Sequence, residues 1–402
     1  MNEMIKNRFY TVKKPETDYK QKIRAHRIRI IKLIVCGLVL AAALVIGIIL
    51  YFKHKEYTDY TVLKSQPMET ISEAQYIPFA DGVIKVNRDG AIYTDKRGNQ
   101  IWNQTYEVSQ PVVDVCGTYV VIGGVKENTI YILNKTSQQG EIRTEIPIRA
   151  VEVSEKGTIA VLMEGESSYK IALYDKKANL LAQGEFRLEN TGYPMGIALS
   201  ADGKKLGVSF VSVEDGRAGS IIQFYNFGSV GQNEIDNLVS KYEYEGIIIP
   251  QIEYLDKDTM VAYGTDRVIL FEGEEKPQEK ISVPMSSEIK TIFYTEQYWG
   301  VTYDVIVSEE NENKTVHEVA VYGLDGKEVL KQQFSMKYES VRVLNGKEVA
   351  IVRDNYCIIY TFDGVKRFEG AMGNNILYVS KESGRREYTF LLQGEMITIR
   401  LK

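Results

Sequence analysis

Pairs of acidic residues are the side chains of this sequence that come nearest to a catalytic pattern. Glycoside hydrolysis needs only two carboxyl groups about 5 to 10 Å apart, one of them acting as an acid. The chain offers four such groups of acids, all in polar, turn-like stretches where carboxylates are normally solvated. They are Glu164/Glu166, Glu214/Asp215, Asp256/Asp258 and Glu309/Glu310/Glu312.

Histidine and cysteine are too sparse for the usual catalytic or metal centres. After the apolar segment only His54 and His317 remain, so a histidine-rich zinc site is excluded, and a Ser-His-Asp triad would have to use His317. No Gly-x-Ser-x-Gly elbow, phosphate-binding loop, dinucleotide fingerprint or calcium loop occurs. Cys36, Cys116 and Cys357 form no C-x-x-C motif. The sequence therefore predicts no catalytic residue, no metal site and no cofactor.

An uncharged run near the N-terminus predicts where the protein resides. Residues 33–52 (LIVCGLVLAAALVIGIILYF) would span roughly 30 Å as a helix, the thickness of a bilayer's hydrocarbon core. Residues 1–32 hold ten Lys/Arg and three Asp/Glu, a net charge of +7. Because the whole chain has a formal net charge of −5, the remaining residues carry −12. Basic residues before the run indicate a cytoplasmic N-terminus.

These features divide the chain into three parts: a basic cytoplasmic tail (1–32), a transmembrane helix (33–52) and an extracytoplasmic domain (53–402). The apolar run is longer than the core of a signal peptide, so we expect an uncleaved, single-pass anchor in the cell membrane. The net negative charge of the outer domain argues against nucleic acid as a partner.

A repeat runs through the outer domain and predicts its architecture. Short β-branched and aromatic runs alternate with Gly, Asp and Asn turns, and similar strand ends recur every 38 to 51 residues. Periods of this length with four short strands each are typical of a β-propeller. The recurring positions are Thr94, Leu133, Tyr174, Tyr225, Phe271, Tyr322, Tyr360 and Ile399.

The strand count predicts how the ring closes. Seven repeats contain four strands each, but the last, about residues 371–402, contains three. The β-like run Tyr57–Ser65 belongs to no other repeat and would supply the missing outer strand, so that no strand edge is left open. We predict an all-β propeller of eight four-stranded blades, with seven blades as the alternative, held close to the membrane by a short linker.

Two turns carry a resemblance to known repeats. Thr94–Trp102 (TDKRGNQIW) and Asp202–Leu206 (DGKKL) are similar to turns of quinoprotein-type propellers. The whole layout resembles an uncharacterised family of single-pass, membrane-anchored propeller proteins of Gram-positive bacteria. The quinoprotein-like Trp occurs clearly once, at Trp102, which argues against a quinone cofactor. The resemblance implies an architecture and assigns no functional residue.

Long loops and aromatic residues indicate where a partner would bind. Val213–Ser220 and Ser308–Thr315 join second and third strands, on the face with the blade-to-blade connections, and Gly228–Ser240 projects from the other face. Tyr193, Tyr298 and Trp299 lie near blade starts and are candidate partner-binding anchors.

The sequence favours a membrane-tethered, non-catalytic binding or scaffold propeller that recruits a protein or cell-envelope partner. Two alternatives stay open. One is an enzyme that acts on a glycan or cell-wall precursor, which clustered carboxyls with a raised pKa at the channel mouth would favour. The other is a receptor that signals through its single helix.

Overall fold

The computed structural model describes residues 17–71, 73–214, 216–309, 312–344, 347–384 and 386–402, and they fall into two units. The first unit, residues 1–55, contains the 38-residue helix α1, Thr17–His54. Its segment Gln21–His54 is long and apolar enough to cross a membrane. The helix begins inside the predicted tail and ends two residues beyond the predicted apolar run, because Lys, Arg and Gln favour helix as much as Leu does.

The second unit, residues 56–402, is an eight-bladed propeller, as predicted. Each blade is a four-stranded antiparallel sheet, and in blades 1 to 7 the strands follow chain order from the centre outward. Blades 1 and 2 are β2 Gln75–Phe79, β3 Gly82–Val86, β4 Gly90–Asp95, β5 Gln100–Thr105, then β6 Pro111–Cys116, β7 Tyr119–Gly124, β8 Thr129–Asn134, β9 Gln138–Arg143.

The next blades follow the same order, with a short helix α2, Leu188–Thr191, leading into blade 4. Blades 3 and 4 are β10 Ile148–Val153, β11 Ile159–Glu164, β12 Ser168–Tyr174, β13 Leu180–Arg187, then β14 Tyr193–Leu199, β15 Lys205–Glu214, β16 Arg217–Asn226, β17 Leu238–Glu245. Blades 5 and 6 are β18 Gln251–Tyr254, β19 Thr259–Tyr263, β20 Arg267–Glu272, β21 Gln278–Pro284, then β22 Ile289–Tyr294, β23 Tyr298–Glu309, β24 Glu312–Gly323, β25 Glu328–Phe334.

Blade 8 is built from both ends of the propeller unit. Blade 7 is β26 Ser340–Leu344, β27 Glu348–Arg353, β28 Tyr356–Thr361, β29 Lys366–Ala371; blade 8 is β30 Ile376–Lys381, β31 Glu387–Leu392, β32 Glu395–Leu401, with β1 Tyr60–Pro67 as its outer strand. The antiparallel register runs from Tyr60 opposite Leu401 to Pro67 opposite Glu395. The predicted closure by the N-terminal strand is therefore confirmed.

Tyr57 adds a second tie beside the closing strand. Its backbone N–H donates to the Arg367 carbonyl and its carbonyl accepts from Glu369 N–H, both at 3.1 Å, on the outer strand of blade 7. The Tyr57 ring is 2% exposed and belongs to the apolar cluster between blades 7 and 8. The first residues of the propeller unit are thus held by two blades.

The core of the propeller is divided among the blade interfaces. Among the described residues, one apolar cluster fills each of the eight interfaces, because successive residues of every strand point to opposite faces of its sheet. The cluster between blades 8 and 1 is the smallest, with Met68, Tyr76, Val83 and Leu391 buried. A cavity of about 240 Å³ lies at this same interface.

Turn chemistry agrees with the sequence. The predicted turn between β14 and β15 contains Gly203 with φ +73°, and a Cβ there would lie 2.5 Å from the Thr158 hydroxyl of blade 3. Only glycine combines this backbone conformation with so close an approach. Two later Asp-Gly turns, with Gly326 at φ +73° and Gly364 at φ +83°, join third to fourth strands.

The tie at Tyr57 can be tested by substitution. Tyr57→Ala removes a fully buried aromatic ring, so it should lower the free energy of unfolding by about 3 kcal/mol or more. Val62→Ala, on the outer face of β1 where Val62 is 47% exposed, should change it by less than about 0.5 kcal/mol. Chemical denaturation of the full chain in detergent measures both; equal effects would contradict the proposed contribution of Tyr57.

Candidate binding site

The three aromatic residues predicted as anchors do not form one site. Tyr193 begins β14 and is half-buried, whereas Tyr298 begins β23 at the other end of its blade and packs edge-on against Phe362. Trp299 has no exposed surface and stacks on Tyr322 at 4.3 Å in the cluster between blades 5 and 6. Because its ring is wholly enclosed, Trp299 cannot contact a partner in this structure, and the sequence interpretation of that residue was wrong.

We call the face that carries the turns between second and third strands the hairpin face, and the other the opposite face. Blade-to-blade connections also lie on the hairpin face. A cavity of about 900 Å³ opens there, near blades 2 to 4. It is lined by Val125, Lys126, Ile146, Pro147, Ile148, Arg149, Ala150, Glu164, Gly165, Glu166 and Met195. Its apolar floor and charged rim are features of ligand-binding pockets.

A network of polar and aromatic side chains holds Arg149 at the rim of this cavity. The Arg149 guanidinium donates to Glu164 at 3.3 Å and lies over the Tyr193 ring, 4.5 Å from its centroid, with a further contact to the Tyr193 hydroxyl. Tyr169 donates to the other Glu164 oxygen at 3.2 Å. The guanidinium is therefore oriented before any ligand arrives, and Tyr193 is part of its support.

Two hairpins extend the hairpin face where the sequence predicted loops. β15 and β16 remain paired to Glu214 opposite Arg217, and β23 and β24 to Glu309 opposite Glu312. The predicted loops at 213–220 and 308–315 are therefore largely strand, since cross-strand pairing continues through these polar residues. Val213 and Ile306, 70% and 72% exposed, lie near the ends of the two hairpins.

The insertion of blade 4 lies between its third and fourth strands, as expected. It contains two 3-10 turns, Gly231–Asn233 and Ile235–Asn237, before β17 begins at Leu238. Ile235 is 86% exposed.

The central channel contains carboxyl groups that sequence reasoning missed. Asp114, Glu152 and Glu253 lie on β6, β10 and β18, the inner strands of blades 2, 3 and 5. Burial raises the pKa of Asp114 to about 6, and burial together with the charge of Asp114 raises the pKa of Glu253 to about 7. Residues three blades apart influence each other in this way only across the channel.

Burial, neighbouring charges and hydrogen bonds all act on the pKa values of this group. Burial first, then the charges of Asp114 and Glu253, raise the pKa of Glu152 well above its ordinary value. Glu253 accepts from Gln251 Nε2 and from the Tyr294 hydroxyl, each at 2.9 Å, and Asp114 accepts from Val153 N–H at 2.6 Å. We call Asp114, Glu152, Glu253 and Tyr294 the channel acid group.

The wall of the channel four blades from Glu152 carries a cation. Arg342 of β26 lies over the Tyr378 ring of β30, 4.5 Å from its centroid, and burial lowers the pKa of the guanidinium. The channel is thus charged in opposite senses on its two sides. It can hold protons near neutral pH and can orient a polar ligand.

The acid pairs that the sequence analysis singled out do not belong to the channel acid group. Glu164 and Glu166 are exposed at the cavity rim. Asp256 accepts from the backbone N–H groups of Asp258 and Thr259 at the turn between β18 and β19. Asp258 pairs with Lys205 at 2.8 Å.

The remaining predicted acids lie at the ends of the two long hairpins, and His317 lies beside an aspartate. Asp215 and Glu310 lie outside the described residues, and nothing is described of the side chains of Glu214, Glu309 and Glu312. His317 Nδ1 lies 2.7 Å from Asp304 Oδ1 on paired strands. Among the residues that the structure describes, no group of three or more His, Cys, Asp or Glu side chains is placed to hold a metal ion.

The channel acid group makes a prediction about stability and pH. In the unfolded chain these carboxyls titrate near pH 4, whereas in the folded protein Asp114 and Glu253 titrate at about 6 and 7. Between these values the folded state binds more protons, so its stability falls as pH rises from about 4 to 7. Glu253→Gln should therefore raise the melting temperature at pH 8 more than at pH 5.

The matched control is Glu166→Gln, which changes an exposed acid of the hairpin face and should leave the pH dependence unchanged. Calorimetry of the full chain at several pH values measures the effect. A Glu253→Gln variant destabilised equally at pH 5 and pH 8 would contradict the raised pKa.

Solved structures similar to this chain share little sequence with it. The computationally designed protein Ika8 has a TM-score of 0.52 and 11% identity, covering 84% of this chain and 98% of that protein. BamB from Moraxella catarrhalis has a TM-score of 0.48 and 14% identity (85% and 100% covered), and the Pan2 WD40 domain of Neurospora crassa 0.42 and 10% (73% and 88%). At sequence identities this low, the likeness concerns the fold alone.

Comparison by sequence identifies a family. None of the curated proteins matches the chain. One family profile matches residues 53–401, which is the whole propeller unit apart from its last residue and includes the closing strand β1. The chain belongs to DUF5711, a family of unknown function.

Proposed function

We propose that this protein is a membrane-anchored propeller that binds a partner outside the cytoplasm and performs no chemistry itself. The observation that carries the proposal is the joining of an apolar helix, Gln21–His54, to a closed ring that has a preorganised cavity on its hairpin face. A ring without free sheet edges is a rigid support for loops and cavities that bind.

The charges that flank the helix support its orientation. Five cations lie close before the apolar run and two close after it, a distribution that favours a cytoplasmic N-terminus. They are Lys22, Arg24, Arg27, Arg29 and Lys32 before the run, and Lys53 and Lys55 after it. In this orientation the propeller lies on the extracytoplasmic side.

The cavity and Arg149 indicate the chemistry of the partner. The floor around Ile146, Ile148 and Met195 accepts an apolar group, and the oriented guanidinium accepts an anionic or carbonyl oxygen next to it. A protein segment or envelope molecule with an apolar group beside an acidic one fits these features. The hairpins of blades 4 and 6 add exposed Val213 and Ile306 on the same face.

A second candidate is an enzyme that acts on a glycan or cell-wall precursor. The channel acid group favours it, since carboxyls with pKa values of about 6 and 7 can donate a proton near neutral pH. In that case Glu253 or Glu152 would be the acid and a second carboxylate the base or nucleophile. Release of sugar from purified envelope that Glu253→Gln abolishes would favour this candidate over binding alone.

The orientation can be tested by cysteine labelling in intact cells. Thr136→Cys, on an exposed turn of blade 2, should react with a membrane-impermeant maleimide. Tyr19→Cys, 79% exposed in the first turns of α1, should react only after the cells are permeabilised. The reverse pattern, or reaction of both in intact cells, would contradict an extracytoplasmic propeller.

The binding surface can be tested by photo-crosslinking in living cells. A photoreactive amino acid at Met195 or at Glu166, both lining the cavity, should capture the same molecule. The matched control is Leu181, 58% exposed on the outer strand of blade 3, which should not capture it. Arg149→Ala should reduce the captured amount at least tenfold, because it removes the oriented cation; equal capture at Leu181 would contradict the proposal.

A further inference from the structure

The strand order determines on which face the chain joins the propeller. β1 runs antiparallel to β32, and its first residue, Tyr60, is opposite Leu401. Leu401 ends the third strand of blade 8, and third strands end on the opposite face. Lys402 N–H donates to the Asp59 carbonyl at 3.0 Å on this same side. The chain therefore reaches the ring at the opposite face, where Tyr57 pairs with the outer strand of blade 7 before β1 joins blade 8.

Turns of blades 1 and 3 on this face have the same construction. In blade 1, Asp95 Oδ1 accepts from the backbone N–H groups of Arg97 and Asn99 at 2.8 Å, and Asn99 Nδ2 donates to Asp95 Oδ2 at 3.0 Å. In blade 3, Asp175 makes the same bonds with Lys177 and Asn179. These hydrogen bonds lower the pKa of both carboxyls and hold them inside their turns.

The turns leave their cations in solvent. Blade 2 has Asn134 where the other two blades have Asp, and its oxygen accepts from Thr136 and Ser137 N–H. The exposed cations of these three neighbouring turns form what we call the basic rim. It consists of Lys96, Arg97, Lys135, Lys176 and Lys177.

The basic rim differs in charge from the corresponding turns of blades 4 to 7. Its five cations and the two turn acids, Asp95 and Asp175, give a local net charge of +3. With Asp81, Glu155 and Lys156 of the adjoining turns, the net charge is +2. In blades 4 to 7 the turns between third and fourth strands hold more acids than cations. The acids there are Glu234, Asp236, Glu274, Glu275, Asp325 and Asp363, against Lys276 and Lys327.

We propose that the basic rim binds the anionic phospholipid headgroups of the bilayer in which α1 is embedded. The inference rests on the proposed membrane anchorage. Two residues, Lys55 and Glu56, separate the end of α1 from Tyr57, and an extended residue spans at most about 3.5 Å. Exposed cations are attracted to an anionic surface within a Debye length, about 10 Å at 0.1 M salt. So short a linker keeps Tyr57 within about 11 Å of the end of α1.

The experiment measures how close the rim comes to headgroups. The full chain, with Cys36→Ser, is placed in nanodiscs that contain a headgroup-nitroxide lipid. A fluorophore is attached at Thr136→Cys, next to Lys135 of the basic rim. In discs with 30% phosphatidylglycerol, quenching at residue 136 should be at least threefold greater than in phosphatidylcholine discs. Raising NaCl to 0.5 M should remove the difference, because salt screens exposed charges.

Two controls keep the result specific. A fluorophore at Lys314→Cys, exposed on the hairpin face, should show the same quenching in both kinds of disc. Reversal of four rim charges (Lys96→Glu, Arg97→Glu, Lys176→Glu, Lys177→Glu) should abolish the lipid dependence at residue 136. Lys314→Glu with Lys337→Glu, exposed cations of the hairpin face, should not.

The outcomes separate this inference from the proposed function. A chain that stays in the discs yet shows no lipid dependence at residue 136 overturns rim binding and leaves membrane anchorage standing. A chain that alkaline carbonate extracts from cell membranes overturns the anchorage, and the rim proposal with it. Equal lipid dependence in the wild type and the charge-reversed variant also overturns rim binding, and would indicate attraction through another surface.

Discussion

The ladder between β1 and β32 joins the two ends of the propeller unit, and the rest of the structure depends on it. Each blade buries its two faces against its neighbours, so an open ring would leave two apolar sheet faces in water. The closing strand completes blade 8, and Tyr57 adds a buried ring and two backbone hydrogen bonds to blade 7. Closure also places inner strands from all blades around one channel, where Asp114, Glu152 and Glu253 influence each other.

The two faces of the ring offer different chemistry because opposite sets of turns form them. The hairpin face has a cavity with an apolar floor and an oriented guanidinium, features suited to a specific ligand. The opposite face has short turns whose Asp or Asn side chains bind the turn's own backbone and leave cations outside. The two proposals therefore assign partner binding to the hairpin face and membrane contact to the opposite face. The same sheets support both faces.

Much of the fold could be predicted because its determinants are local. Strand ends recurred at a regular spacing, turn residues marked the hairpins, and the three-stranded last repeat indicated closure by Tyr57–Ser65; the observed strand is Tyr60–Pro67. Outer strands such as β9, Gln138–Arg143, were harder to predict, since their polar, largely exposed residues carry little periodicity. The hairpins of blades 4 and 6 were read as loops for the same reason.

The candidate site could not be predicted to the same extent. Asp114, Glu152 and Glu253 each stand alone in a short strand, and only the ring brings blades 2, 3 and 5 together. A single acid inside an apolar inner strand, as in PVVDVC, is the one signal that was available. Tyr193 and Trp299 are both aromatic residues near strand starts, yet the Trp299 ring is wholly enclosed, because exposure depends on neighbours from the next blade.

Closure by the first strand has a consequence for biosynthesis. The partner of β1 is β32, so blade 8 cannot form until residue 401 has been synthesised. Until then the nascent ring exposes an unpaired strand at one end and an uncovered sheet at the other, the surfaces through which β-proteins aggregate. A chain that stops before β32 keeps both permanently, which makes it prone to aggregation and proteolysis.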